Sequence, residues 1–370
     1  MSPRRAVVRR FELPLHQPLA TAHGPIERRE GYLVELTDDD GQRGYGEATP
    51  LPGFGTEDRA TCRTALVAAI ESFVLGQPIE QASLEGVDAS PCATFAMTTA
   101  MEDLEARREG VPLAVRLARD LDPPATSIAS QALVGGETAG DVRESSQRAI
   151  ELGFRVFKLK LAVSPDAREL ATDIERVEAL REAVGPDARI RLDANEAWAL
   201  KEADQALRAL ARFDIDYVEQ PVAAGDLAGL KSLSLNGAIP VAADEALLGA
   251  GLTTCLEQRA AKILIVKPAA LGGLGRAQAL AIRCRDEGLR LVWSTMIDGA
   301  VGRGAAFALA AAFDDPEEVH GLGTARLLAL DLGEETSGFE GGRFALRAEC
   351  GLGFVPELES ASSDVFEVSS

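Results

Sequence analysis

Phe157-Lys158-Leu159-Lys160-Leu161, Arg191-Leu192-Asp193-Ala194-Asn195, Tyr217-Val218-Glu219-Gln220-Pro221, Val241-Ala242-Ala243-Asp244-Glu245 and Ile263-Leu264-Ile265-Val266-Lys267-Pro268 follow one another in the second half of the chain. Each is a short apolar run that reaches a charged residue at its end, and Ala/Leu/Arg/Glu-rich helical stretches separate them. The charged ends are 33, 26, 25 and 23 residues apart (160→193, 193→219, 219→244, 244→267), one strand-plus-helix unit per step. Similar runs occur at 127–134 and 290–294, with a weaker eighth at 319–324. Seven or eight such units predict an α/β fold with a (β/α)7-8 TIM-type barrel; the count disfavours an open doubly wound sheet.

Outside these units the pattern changes. Residues 5–15 and 31–37 read as strands, Asp38-Asp39-Asp40-Gly41 as a turn, and 42–48 as a returning strand. Helical patterns follow at about 57–75 and 93–108, with a shorter one at 113–120, and Pro123-Pro124 marks a boundary. Three parts are expected: an α+β capping domain over 1–122, a barrel over 123–331, and a segment over 332–370 that packs back on the cap.

The 370 residues are 46% apolar and 26% charged, the balance of a folded chain with a substantial core. Lys+Arg minus Asp+Glu is 38 − 58 = −20. A surface of that sign repels phosphate backbones, so no nucleic-acid partner is expected. No apolar run is long enough to span a bilayer, and no signal peptide follows the basic N-terminus, so no membrane association is expected. Five widely spaced cysteines without a CxxC fit a reducing, cytoplasmic setting. The three histidines, His16, His23 and His320, are too far apart in sequence to announce a metal site. Only six lysines are present, so a lysine inside an apolar strand is hard to dismiss as surface filler.

In a barrel of this kind the active site lies at the C-terminal ends of the strands. Successive strands here deliver Lys, Asp, Glu, Asp and Lys. Asp193, Glu219 and Asp244 would converge, and three carboxylates do not stay ionised together without a cation. An all-oxygen donor set favours Mg²⁺ over zinc, with Mn²⁺ able to substitute. Alternation puts Lys158 and Lys160 on one side of their strand, and Lys267 flanks the acids from the other end. A lysine beside a cation and partly desolvated is expected to have a depressed pKa and to act as a base. Together these groups suit α-proton abstraction from a small-molecule carboxylate, the resulting enediolate being stabilised where its charge develops. Taken singly, each element has an ordinary reading. One strand-end acid is usually a cap, Lys158 an ion-pair partner, and Lys267 an outward-snorkelling side chain. Five strands carrying this charge order in register are much harder to obtain by chance.

The Lys-x-Lys, Asp-Ala-Asn, Glu-Gln-Pro, Asp-Glu and Lys-Pro motifs resemble the enolase superfamily, muconate-lactonising subgroup, over nearly the whole chain. The pairing of a lysine with Mg²⁺ is known for that superfamily and is not a finding about this chain. Gly44-Tyr45-Gly46-Glu47-Ala48-Thr49-Pro50-Leu51-Pro52-Gly53-Phe54 resembles the capping loop of o-succinylbenzoate synthases. That resemblance implies syn-dehydration of 2-succinyl-6-hydroxy-2,4-cyclohexadiene-1-carboxylate to o-succinylbenzoate in menaquinone biosynthesis. It further implies Lys160 and Lys267 as catalytic residues, Asp193, Glu219 and Asp244 as Mg²⁺ ligands, and Lys158 and Asn195 as supporting residues. Ser294 and Gly321 match positions near the succinyl carboxylate. Two positions depart from the pattern: Ala246 stands where Ser or Thr is common, and Asp298 where a longer Glu is common, a shorter arm in the same supporting place.

The rival readings are an N-succinylamino-acid racemase, a dipeptide epimerase or a cycloisomerase of the same subgroup, because a lysine on each face also serves a 1,1-proton transfer. Dipeptide epimerases usually carry Asp-x-Asp at the eighth strand, where this chain has Gly321-Leu322-Gly323. A non-catalytic metal-binding barrel is the reading of a different class, and intact lysines on both faces speak against it. Association into a homo-oligomer is left open by the sequence.

Overall fold

Strand β1 (Arg5–Leu19) turns into β2 (Ile26–Thr37) and then β3 (Arg43–Ala48), an antiparallel meander joined by the tight Asp38–Gly41 turn. The computed structural model describes residues 4–19, 24–77, 89–161, 170–357 and 361–369. His23, and Ala162 at the end of the second barrel run, lie outside them. Two helices, Arg59–Val74 and Pro91–Glu109, cover one face of the meander. Gly44 and Gly46 make the close approach workable: a Cβ at either would fall on a backbone carbonyl of the second helix, Ala100 or Ala96. The Asp103 carboxylate of that helix accepts from the Tyr45 amide at 2.9 Å, the Leu352 amide at 2.6 Å and Arg107 at 3.0 Å, tying helix, sheet and C-terminal segment together.

After β4 (Ser127–Ala129), the barrel strands are β5 (Ala132–Val134), β6 (Val156–Lys160), β7 (Arg189–Asp193), β8 (Ile215–Glu219), β9 (Val241–Ala243), β10 (Ile263–Val266) and β11 (Arg290–Trp293). The seven from β5 to β11 form one parallel sheet in sequence order. It curls into the barrel expected from the repeating units. The eighth run forms no regular strand. His320 and Gly321 instead make single parallel bridges to Ser130 and Ser294, and their amides donate to Ala129 at 3.0 Å and Trp293 at 2.8 Å. Glycines at 321 and 323 leave little there to pack as a pleated strand.

The first run also divides, with β4 leaving the barrel. It pairs with the hairpin of β12 (Thr336–Glu340) and β13 (Arg343–Leu346). That hairpin is therefore not on the cap, as expected for the whole tail. It lies beside the barrel, where Phe339 and Phe344 stack with Phe154 and Phe307 at centroid separations of 5.1 and 5.2 Å. Beyond it, β14 (Ala361–Ser369) returns to the edge of the meander and pairs with β1. Helix Ala300–Ala312 is buried at every position, its alanines and glycines allowing elements to close on all sides. Its Arg303 is neutralised by Glu335 and Asp331.

Candidate active site

Lys160, Asp193 and Glu219 are the last residues of β6, β7 and β8, and they are cross-strand partners (Lys160↔Asp193, Asp193↔Glu219), so their side chains leave the sheet at one level. Asp244 follows β9 directly and Lys267 follows β10. In strand order the three acids stand between two lysine-bearing strands. Lys158, two residues before Lys160, projects to the same side. All six residues line one cavity of about 140 Å³, together with Asn195, Glu245, Ser294 and Gly321. Its roof comes from the cap, through Leu19, Ile26, Leu51 and Phe54.

The charges are tightly paired. The Lys158 ammonium donates to both Glu219 oxygens at 2.7 and 2.8 Å and lies 2.9 Å from Asp193 Oδ2; Lys267 Nζ contacts Asp244 Oδ1. Asp193, Glu219 and Asp244 are at most 5% exposed. Burial and then the charge of Asp193 push Glu219 well above the carboxylate range. Burial also opposes ionisation of Asp193, but Lys158, then Lys160, hold it below its ordinary value. Burial pulls on both other lysines as well, yet Asp193 and Glu219 hold Lys158 well above its ordinary value, and Asp244 and Glu245 raise Lys267. The expected depression belongs to a lysine beside a cation; with carboxylates beside them, Lys158 and Lys267 are held protonated.

Among the described residues, no three or more His, Cys, Asp or Glu side chains stand in metal-coordinating geometry, and the lysine ammoniums supply the positive charge. The donor chemistry nevertheless fits a hard divalent cation. Four carboxylates and the Asn195 amide share the cavity, and among the described residues no His or Cys lines it. Seating a cation requires Lys158 and Lys267 to release oxygens of the three acids.

Several supporting residues were not singled out in the sequence. Gln220 takes a left-handed backbone (φ 39°), and its side-chain oxygen accepts from the Asp244 amide at 3.0 Å and the Ala246 amide at 3.1 Å, fixing the turn that presents Asp244. Arg176 donates to the Lys160 carbonyl at 2.9 Å and the Gly136 carbonyl at 3.0 Å, holding the end of β6. Glu245 receives the Asn195 amide at 3.3 Å and is pushed up to about 8 by burial and then by Asp244. Its signal was the Asp-Glu pair at the end of β9. Arg191, Asp216, Arg290 and Glu318 form a partly buried ion network around Tyr217, and Arg191 also holds the cavity residue Gln131 at 2.9 Å. Burial pushes His320 down to about 4, so it is neutral, and its Nδ1 accepts from the Trp293 amide.

Asp298 does not line the cavity. It is buried behind the wall formed by residues 294–297, where its carboxylate accepts from the Met296 amide at 3.3 Å. Beside it the cap grips the barrel. Glu47 accepts from the amides of Gly299 and Gly302 at 2.5 and 2.8 Å, at the start of helix Ala300–Ala312. Buried Arg29 donates to the carbonyls of Thr49 (2.6 Å) and Met296 (3.1 Å). Burial, then the charge of Asp298, push Glu47 up to about 7 from 4.5. Between those pH values the folded protein keeps a proton that the unfolded chain has released. This contribution to stability is fully present below about 4.5 and is lost as pH rises through about 7; a shift of that size corresponds to about 3 kcal/mol. Glu47→Gln is therefore expected to flatten the fall in Tm over that window. Parallel Tm–pH profiles for wild type and variant would show that Glu47 does not titrate there.

A family model described as Enolase C-terminal domain-like matches residues 141–361, and one described as MenC, N-terminal domain, matches residues 3–104. The chain belongs to the enolase superfamily, muconate-lactonising subgroup. Muconate cycloisomerase 1-2 of Acinetobacter lwoffii is 32% identical to this superfamily member over 76% of this chain and 74% of its own length. An o-succinylbenzoate synthase of Thermobifida fusca is 31% identical over 85% and 80%. Among solved structures, a dipeptide epimerase from Enterococcus faecalis complexed with Mg and the dipeptide L-Leu-L-Tyr superposes with a TM-score of 0.79 at 25% identity, covering 95% of this chain and 99% of that one. The relatives are thus enzymes of the superfamily, lyases and epimerases among them, and superfamily members bind Mg²⁺. No helix among the described residues is long and apolar enough to cross a membrane.

Proposed function

We propose that this chain is an Mg²⁺-dependent o-succinylbenzoate synthase, a hydro-lyase of menaquinone biosynthesis acting on 2-succinyl-6-hydroxy-2,4-cyclohexadiene-1-carboxylate. The observation that carries the reading is the row of Lys160, Asp193, Glu219, Asp244 and Lys267 around one cavity, with acids central and lysines at the ends. Asp193, Glu219 and Asp244 would hold Mg²⁺, or Mn²⁺ in its place, which would supply positive charge to offset the negative charge developing on the substrate carboxylate. Lys160 takes the α-proton from one face and, once protonated, delivers it to the departing hydroxyl on that same face, as a syn elimination requires. Lys267 stabilises the enediolate from the opposite face as a cation. Lys158 and Asn195 orient Glu219, Asp193 and Glu245 through the bonds described above. The apolar cap residues shed water from the ring. The product is aromatic, so elimination runs downhill once the proton has been removed.

The relatives also support a second reading, racemisation or epimerisation. The same two lysines could deprotonate one face and reprotonate the other. A free dipeptide carries an ammonium group, and among the described residues the cavity carboxylates are the four clustered at the β7–β9 ends. None stands at the eighth position to receive it, which favours the dehydratase or an N-acylated substrate. A paired assay in deuterated water decides between them. Loss of the cyclohexadiene absorbance with o-succinylbenzoate formation is the expected result. Exchange and racemisation of N-succinyl amino acids without any dehydration would replace the synthase reading with the racemase.

A further inference from the structure

Among the described residues the cavity wall carries four cations: Lys158, Lys160, Lys267 and Arg326. The three lysines belong to the proton-transfer end. Arg326 stands apart from them, in the 3-10 turn Ala325–Leu327 that follows the eighth bridging element. Its guanidinium donates to the Leu133 carbonyl at 3.1 Å and lies 5.8 Å from the Phe154 ring centroid. The residue is exposed, with one side lining the cavity, and among the described residues its guanidinium meets no carboxylate. The carbonyl contact uses one of its five N–H donors, and the remaining fork has the geometry to bind a carboxylate through two parallel bonds. Ser294 and Gly321 offer only a hydroxyl and backbone, and neither supplies charge. With the molecule at −20, a dianionic ligand is repelled at long range, so both of its charges need cations at short range.

We propose that Arg326 is a specificity-determining residue that binds a second carboxylate of the substrate, separated by an apolar spacer from the carbon that loses its proton. The inference rests on the enolising role of the cavity proposed above and names the side chain by which a dianion would be told from a ligand whose far end is neutral.

The test uses the full chain with Mg²⁺ and two ligands that differ only at the far end, o-succinylbenzoate and 2-butanoylbenzoate, with affinities measured by calorimetry. Wild type is expected to prefer the succinyl compound by about 10- to 100-fold, the range of a hydrogen-bonded charge pair. Arg326→Met should abolish that preference while leaving the affinity for 2-butanoylbenzoate unchanged, and Arg326→Lys should keep part of it. Equal weakening of both ligands, an intact preference in Arg326→Met, or no binding by wild type would overturn the proposal. Dehydration is measured on the same preparations. An Arg326-dependent preference without turnover would leave the dianion subsite standing and remove the synthase reading instead.

Discussion

Lys160→Ala is expected to lower kcat for dehydration by on the order of 10³-fold or more, the scale of losing a positioned general base together with the acid that assists the leaving group. The loss should fall on kcat, with Mg²⁺ affinity retained, because the Lys160 side chain makes no hydrogen bond to the three acids; its strand is held through the backbone by Arg176. The fold should survive for the same reason, and a cooperative melt near the wild-type Tm would show it. Exchange of the α-proton into deuterated water should disappear with turnover. Lys267→Ala should also be severely impaired, but it removes the counter-ion of Asp244 as well, so it is the less clean probe. Dehydration by Lys160→Ala at near the wild-type rate would remove this residue as the base and, with it, the mechanism.

Removing metal is the second large effect. Treatment with EDTA should abolish activity, and Mg²⁺ or Mn²⁺ should restore it. The physical reason lies in Glu219, which burial and Asp193 push far up; a cavity that crowds these acids is relieved by a divalent cation more effectively than by two lysines. Binding should therefore also stabilise the fold, by about 2.7 kcal/mol at a metal concentration of 100 times Kd, seen as a rise in Tm. Glu219→Gln should weaken both restoration and stabilisation. Activity indifferent to chelator, with no Tm shift on adding Mg²⁺, would count against the three acids as ligands. Lys158 should behave differently in the two states, because its ammonium now spans Asp193 and Glu219, where the cation's charge would act.

Much of this site was legible in the residues themselves because barrel strands are short and each charged end sits one unit from the next. The alternation of Lys158 and Lys160 and the 23- to 33-residue steps are local properties that survive folding unchanged. What periodicity could not show was any partner contributed from far along the chain. Gln220 acts on Asp244, 24 residues away, and Arg176 on the carbonyl of Lys160. Arg326 lines the cavity from the 3-10 turn that follows the bridging eighth run, close to β5 through the Leu133 carbonyl. Asp298, read as a supporting residue of the pocket, sits behind its wall with Glu47 and Arg29, a cap-to-barrel contact between residues about 250 apart.

The order of acids and amines along the barrel, and hence the enolising chemistry, was already contained in the one-dimensional pattern, because strand spacing and side-chain alternation are short-range rules. The state of those groups, and the shape of the ligand they would accept, came from three-dimensional packing. Charge pairing in a buried cavity depends on which side chains distant segments bring within a few ångströms. That is why Lys158 and Lys267 are held charged by Asp193, Glu219 and Asp244, and why an arginine near the C-terminal end lines the same cavity as β6.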